Sequence, residues 1–395
     1  MDNQTVQDAI KKTTDDPTDA ELYALIGQLL LVGFEGADTD PPPAIADALA
    51  RGDIGGTILF RRNITSVEQV SALNTRIHQL SENAVAAPFV AVDQEGGRVV
   101  RLKDPLTPIP PMRAVGDMAD LRLTADVSEV IATEIAALGF NLNFAPVLDV
   151  DTNPENPIIG DRAFSNDPAI VTRTAGAFLI GHHIAQVIPC GKHFPGHGDT
   201  LVDSHIALPV LEHDRARLDA VELQPFRRMA SANIPMLMTA HMMVPCLDPE
   251  HPSTLSRATI RGLLRDELGY EGVVITDDLE MAAVAAHYEI EEMVELGLRA
   301  GIDIFLICRS EDIWQRARKH LFALARNNFD DLIRVQRAAE RVLALKESLL
   351  GPKRRPWTPY PGWQKLLGCE EHRETMARIE QQASGPSEDP TELDA

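Results

Sequence analysis

Three stretches of this sequence gather residue types that can do chemistry. The densest is GKHFPGHGDTLVDSH, residues 191–205, where glycines and Pro195 break any regular element and leave a long irregular loop. Within it, Asp203 stands two residues before His205. A carboxylate at that spacing can orient an imidazole and stabilise its protonated form, the pairing that suits a histidine to general acid and base work. His193, His197, His205 and Asp203 could instead bind a metal through nitrogen and oxygen. The FPG between His193 and His197 argues against that reading, because an i, i+4 pair converges only on a helix.

The second stretch, GVVITDDLEMAAV (272–284), ends an apolar run in two aspartates. Asp277, first off the run, is the better nucleophile candidate, and Asp278 is better placed to cap the next helix. The third, AVDQEGGRVVRL (91–102), sets Asp93 and Glu95 beside a tight Gly96–Gly97 turn, with Arg98 and Arg101 next. Arg98 could equally serve a structural ion pair, and Arg162 sits in a similar Pro/Gly-rich loop, NPIIGDRAF. Mixed acidic and basic groups with few aromatics suit a polar, uncharged ligand such as a sugar, whose vicinal hydroxyls both donate and accept.

Such residues must be held by elements, and between residues 20 and 350 one pattern repeats. A short apolar run ends in polar residues or glycine, and an amphipathic stretch comes after it. The runs are LLLVGF (29–34), GGTILF (55–60), FVAVD (89–93), FNLNFAPV (140–147), QVIPCGKHF (186–194), PMLMTAH (235–241), GVVITDD (272–278) and IDIFLIC (302–308). Continuous apolar runs of this length suit strands buried on both faces of a parallel sheet. The segment TSVEQVSALNTRIHQLSE (65–82) has apolar residues near a 3.6 period behind a Thr cap, and GLLRDELGY (262–270) is a proline-free helical stretch. Eight strands alternating with helices predict an α/β fold, a TIM-type (β/α)8 barrel with some irregularity. A doubly wound open sheet is the alternative, but no G-x-G-x-x-G or P-loop supports it. In a barrel, Asp93, Asn143, Lys192, His193, His241, Asp277 and Asp278 all end strands and meet on one face.

Composition bounds the rest. Lys and Arg number 37 against 59 Asp and Glu, a net charge of −22, which opposes binding to nucleic acid or anionic membranes. Four cysteines lie far apart, and neither a disulfide scaffold nor a cysteine zinc site is expected. The polar, acidic start and the lack of any run of about 18 apolar residues lead to the expectation of a soluble, cytoplasmic protein. The sequence divides into a flexible lead-in (1–18), a catalytic barrel (19–350), an extension on its surface (351–380) and an acidic disordered tail (381–395). Trp357, Tyr360 and Trp363 are candidate anchors for the proline-rich start of the extension.

Taken together, KHFPGHGDT with DSH, VDQEGGRVVRL, GGTILFRRN, NFAPVLDV and TDDLEM resemble the bacterial β-N-acetylglucosaminidases of glycoside hydrolase family 3, single-domain type. The resemblance covers residues 20–350. It implies a retaining mechanism in which Asp277 forms a covalent glycosyl-enzyme, with His205 as acid/base assisted by Asp203. It also implies that Asp93, Arg101, Arg162, Lys192 and His193 grip a terminal GlcNAc. No metal or organic cofactor is implied, and the expected partner is a GlcNAc-containing muropeptide from cell-wall recycling. A neutral imidazole does not repel an incoming anion, so a β-N-acetylglucosaminide phosphorylase on the same site is the alternative.

Overall fold

The computed structural model describes residues 17–201, 207–351 and 357–380. The lead-in to residue 16 and the tail from 381 lie outside the described residues. Ten strands occur along the described chain: β1 (Leu30–Val32), β2 (Gly56–Ile58), β3 (Phe89–Val92), β4 (Gln94–Gly96), β5 (Val99–Val100), β6 (Leu142–Asn143), β7 (Ile188–Phe194), β8 (Met236–Thr239), β9 (Val273–Ile275) and β10 (Phe305–Ile307). Eight of them pair in parallel in the order β10-β1-β2-β3-β6-β7-β8-β9. A parallel bridge between Ile275 and Ile304 joins β9 to the start of β10 and brings the sheet round to a nearly closed barrel. Each of the eight apolar runs contains one barrel strand. The remaining two, β4 and β5, form a small antiparallel hairpin at the mouth.

Period-two alternation fills two separate layers. Leu31, Phe89, Ala91, Met236, Met238, Ile275 and Leu306 point into the barrel and pack on one another. Their neighbours Val32, Val90, Val92, Leu237, Val274 and Phe305 point outward into the shell of helices. Both faces of the eight barrel strands are therefore buried, which is why the runs read as continuous rather than alternating. The helix Phe329–Leu350 returns to the N-terminal end of the strands and inserts Val342 and Leu345 into the interior layer. Its Lys346 is buried there, donating to Gln28 Oε1 at 2.8 Å and Gly55 O at 2.6 Å, with Nζ 4.4 Å from the Phe89 ring centre. The barrel is thus plugged at one end and open at the other.

Two local details differ from expectation. The helix after β2 runs Val67–Leu80, and its cap is Ser66, whose hydroxyl accepts from Gln69 N, rather than Thr65. The stretch Ala258–Glu267 is helical but wound wide, as a π-helix. On the outer surface, the helix Glu370–Glu380 lies against the helix Leu121–Ala137. Glu134 of the latter accepts from Thr107 N, Thr107 Oγ1 and Gly368 N and pairs with His372. Trp363 is buried and the Trp357 ring sits 5.9 Å from His78, whereas Tyr360 is partly exposed.

Candidate active site

The open end of the barrel holds a cavity of about 440 Å³ whose floor is the top of the interior layer: Ile58, Phe144, Met238 and Leu306. Polar side chains delivered by different strands make its walls. Asp93, Arg101, Arg162, Lys192, His193 and Asp277 all line it, so six of the eight residues singled out from the sequence meet in one place. The other two, Asp203 and His205, lie outside the described residues.

A compact charge network organises one wall. Lys192 Nζ lies 2.8 Å from Asp93 Oδ1 and 2.6 Å from Glu95 Oε1. Arg162 makes a bidentate pair with Glu95, each N···O distance 2.9 Å, and Arg101 Nη2 reaches Asp93 Oδ2 at 3.4 Å. Burial alone would raise the Asp93 and Glu95 carboxyls. The Lys192 and Arg101 charges reverse this at Asp93, and Arg162 with Lys192 reverses it at Glu95, so both stay below the usual carboxylate range. Burial would likewise deprotonate Lys192, yet Asp93 and Glu95 hold its pKa above the ordinary value. The cations remain charged and fixed in geometry, ready to grip a polar ligand without reorganising.

Local sequence explains how they are held. Gly96 and Gly97 take φ of +114° and +57°, left-handed values that let the chain reverse tightly between β4 and β5. The Gln94 side chain then spans the hairpin, donating to Leu102 O and accepting from Arg101 N and Leu102 N, which sets where Arg101 emerges. Arg98 points the other way: it pairs with Asp161 at 2.9 Å and donates to Ile158 O and Ile159 O, pinning the loop that carries Arg162.

β7 is the longest strand among the described residues, and its end brings Lys192 and His193 to the mouth. His193 Nδ1 lies 2.7 Å from Asp149 Oδ2. The same carboxylate accepts from the backbone N–H of His193 at 3.3 Å and of His197 at 2.6 Å. His197 also lines the cavity, but its Nδ1 is engaged by Thr200 Oγ1 at 2.7 Å, and burial lowers its pKa to about 4. Gly198 packs so closely on Val150 O that an added Cβ would sit 1.9 Å from it, which leaves only glycine admissible there.

At the end of β9, Asp277 Oδ1 accepts from Asp278 N at 2.8 Å. Asp278 Oδ1 accepts from Glu280 N and from Cys308 N, both at 3.1 Å, and so ties the turn to β10. Burial, with Glu280 and Asp277 adding like charge, raises the Asp278 pKa to about 7. Two other strand-end residues marked in the sequence serve structure instead. Asn143 clips Gln94 by donating to its carbonyl at 3.1 Å and accepting from its N–H at 3.0 Å. His241 holds Thr254 Oγ1 and the Asp278 carbonyl, both at 2.9 Å.

His193 Nδ1 faces Asp149 and His197 Nδ1 faces Thr200 Oγ1, with the two ring centres 6.1 Å apart. Among the described residues, the group with ligand atoms all within 4.8 Å is a different one: Asp199, His213 and Glu222. Arg217 donates to both carboxylates of that group and supplies its positive charge.

Sequence comparison agrees with the geometry. Residues 22–345 match the family described as the glycosyl hydrolase family 3 N terminal domain. The chain is 37% identical over 290 residues to Beta-hexosaminidase A of Pseudoalteromonas piscicida, covering 69% of this chain and 48% of that protein, so it spans about half of that relative's length. The structure of a glycoside hydrolase family 3 β-N-acetylglucosaminidase from Paenibacillus sp. str. FPU-7 aligns with a TM-score of 0.85 at 36% identity, over 92% of this chain and 68% of the other. NagZ from Neisseria gonorrhoeae, in complex with N-trifluoroacetyl-D-glucosamine, aligns with a TM-score of 0.74 at 31% identity, over 91% of this chain and 98% of the other.

Proposed function

The chain belongs to glycosyl hydrolase family 3, and we propose that it is a retaining exo-β-N-acetylglucosaminidase. The observation that carries this reading is the shared cavity: a strand-end carboxylate, Asp277, faces a pre-organised cluster of Asp93, Arg101, Arg162, Lys192 and His193. In the first step a carboxylate oxygen of Asp277 attacks the anomeric carbon as the glycosidic C–O bond breaks, and His205 gives its proton to the leaving oxygen. In the second, water attacks the same carbon, returns a proton to His205 and releases Asp277. Asp203 orients His205 and stabilises its imidazolium. The network around Lys192 grips hydroxyls and the acetamido group, which places the sugar for in-line attack.

Every step so written uses side chains and water alone, and no metal or organic cofactor is required. The relative crystallised with N-trifluoroacetyl-D-glucosamine supports GlcNAc as the terminal sugar. We assign muropeptides from cell-wall recycling as the natural substrate and the cytoplasm as the site of action. Free, separated cysteines agree with a reducing compartment, and no described helix is long and apolar enough to cross a membrane. Residues 19–350 are the catalytic unit in this reading, with the described residues 357–380 packed on its outside.

The test is release of p-nitrophenol from its β-GlcNAc and β-glucoside derivatives with chelator present. Strong preference for the GlcNAc substrate is expected, and Asp277→Ala should abolish it. An active Asp277→Ala protein would remove the nucleophile assignment. Products in phosphate buffer should be free GlcNAc; GlcNAc-1-phosphate as the main product would move the reading to a phosphorylase. His205→Ala should slow substrates with poor leaving groups more than aryl glycosides, because protonation matters most there.

A further inference from the structure

Asp149 is not one of the expected substrate contacts. It follows β6, is fully buried and does not line the cavity. Three donors nevertheless converge on its carboxylate: His193 Nδ1 at 2.7 Å, His193 N at 3.3 Å and His197 N at 2.6 Å. Burial would raise this carboxyl, and the His193 and His197 donors reverse the effect and hold it below its ordinary value. The barrel does not need these bonds to close here. The strand-to-strand link is already made by the Val147–Lys192 bridge and by Leu148 N donating to Lys192 O.

His193 and His197 both line the cavity, and His193 is the one that meets Asp149 through its ring rather than through the backbone alone. A carboxylate can only accept, so the His193 nitrogen facing it must carry the proton. That leaves Nε2 as the nitrogen available to the cavity. We propose that Asp149 is a positioning residue for sugar binding: it fixes the proton of His193 on Nδ1 and the plane of the ring, so that Nε2 accepts a hydrogen bond from a substrate hydroxyl. The proposal rests on the cavity being a sugar site. It gives that wall a second acceptor, beside the Asp93 carboxylate, among the donors Lys192, Arg101 and Arg162, and so a means of reading which way a hydroxyl points. The His197 ring centre lies 6.1 Å from that of His193, and Arg162, paired with Glu95, is a cation with no acceptor to offer.

Two measurements decide it. The first uses the wild-type protein without ligand, labelled with ¹⁵N-histidine, the His193 signals being assigned by their loss in His193→Gln. Nδ1 should be protonated and Nε2 bare at neutral pH; a proton on Nε2 overturns the proposal. The second is a double-mutant cycle of Asp149→Asn and His193→Ala, read as kcat and KM on the p-nitrophenyl GlcNAc substrate. Asp149→Asn should raise KM by about tenfold or more with a smaller fall in kcat, the size of one lost charge-assisted hydrogen bond remote from the reacting carbon. In the His193→Ala background the same change should have no further effect. An equal loss in both backgrounds would mean that Asp149 merely braces the loop. Should Asp149→Asn fail to fold, the wild-type spectrum still decides; should the wild type leave GlcNAc glycosides untouched, the functional reading fails while the tautomer result stands.

Discussion

At the scale of single residues, the adjacent aspartates at the end of β9 carry the clearest division of labour. Both line the cavity, but Asp278 commits one oxygen to two backbone N–H groups and has its pKa raised to about 7. A raised carboxyl pKa means that the folded state holds a proton which the unfolded chain has already released. Stability therefore falls as pH rises from the ordinary carboxylate value near 4 towards 7. Asp278→Asn keeps the accepting oxygen and removes the titration. Its unfolding free energy by urea denaturation should gain on the wild type across that window and level off above it. A constant difference between pH 4 and pH 8 would show that Asp278 does not titrate there. The sequence marks Asp277, Asp93, Lys192 and Arg162 because each ends a strand or sits in a glycine-rich loop. It marks Glu95 only as a neighbour of Asp93 and Asp149 only as part of NFAPVLDV, with no role for either, for a physical reason: their importance lies in which partners they bury, and spacing along the chain does not encode that.

Elements show the same split between what alternation reveals and what only packing decides. Eight apolar runs locate the eight barrel strands because a strand dry on both faces leaves an unbroken hydrophobic record. Ser66 rather than Thr65 caps the next helix, and both residues are good caps by type, so only the chain's entry angle distinguishes them. The role of Phe329–Leu350 as a plug is also illegible in the sequence, because its Lys346 reads as a solvent-facing charge. In the folded protein Lys346 satisfies Gln28 Oε1 and Gly55 O beneath the Phe89 ring. Lys346→Met keeps most of the volume but leaves Gln28 Oε1 without its donor and Gly55 O with Phe89 N alone, a loss on the order of 1–3 kcal/mol. Chemical denaturation should register it, with kcat unchanged at a temperature where the variant is folded. An unaltered midpoint would mean that water replaces the ammonium at no cost.

Across the whole molecule, the catalytic face and the supporting surfaces are separated. The cavity draws on the C-terminal ends of the strands, Lys346 closes their N-terminal ends, and residues 357–380 cover the flank around the helix Leu121–Ala137. No described residue of that last segment lines the cavity. Its contribution is burial: Trp363, Leu367, Met376 and Ile379 join the outer hydrophobic layer, and Gly368 N and His372 satisfy the buried Glu134. Ending the chain at Leu350 removes those apolar contacts and leaves Glu134 with Thr107 alone. After the entropy of ordering the segment is set against the burial, the net cost is on the order of a few kcal/mol. The shortened protein should melt at a lower temperature yet turn over substrate with the wild-type kcat and KM while folded. Adding Glu134→Gln should cost the full-length protein more than the shortened one, because the change disturbs contacts that only the longer chain makes. A shortened protein that keeps its melting temperature but loses activity would instead tie this flank to the chemistry at the mouth of the barrel.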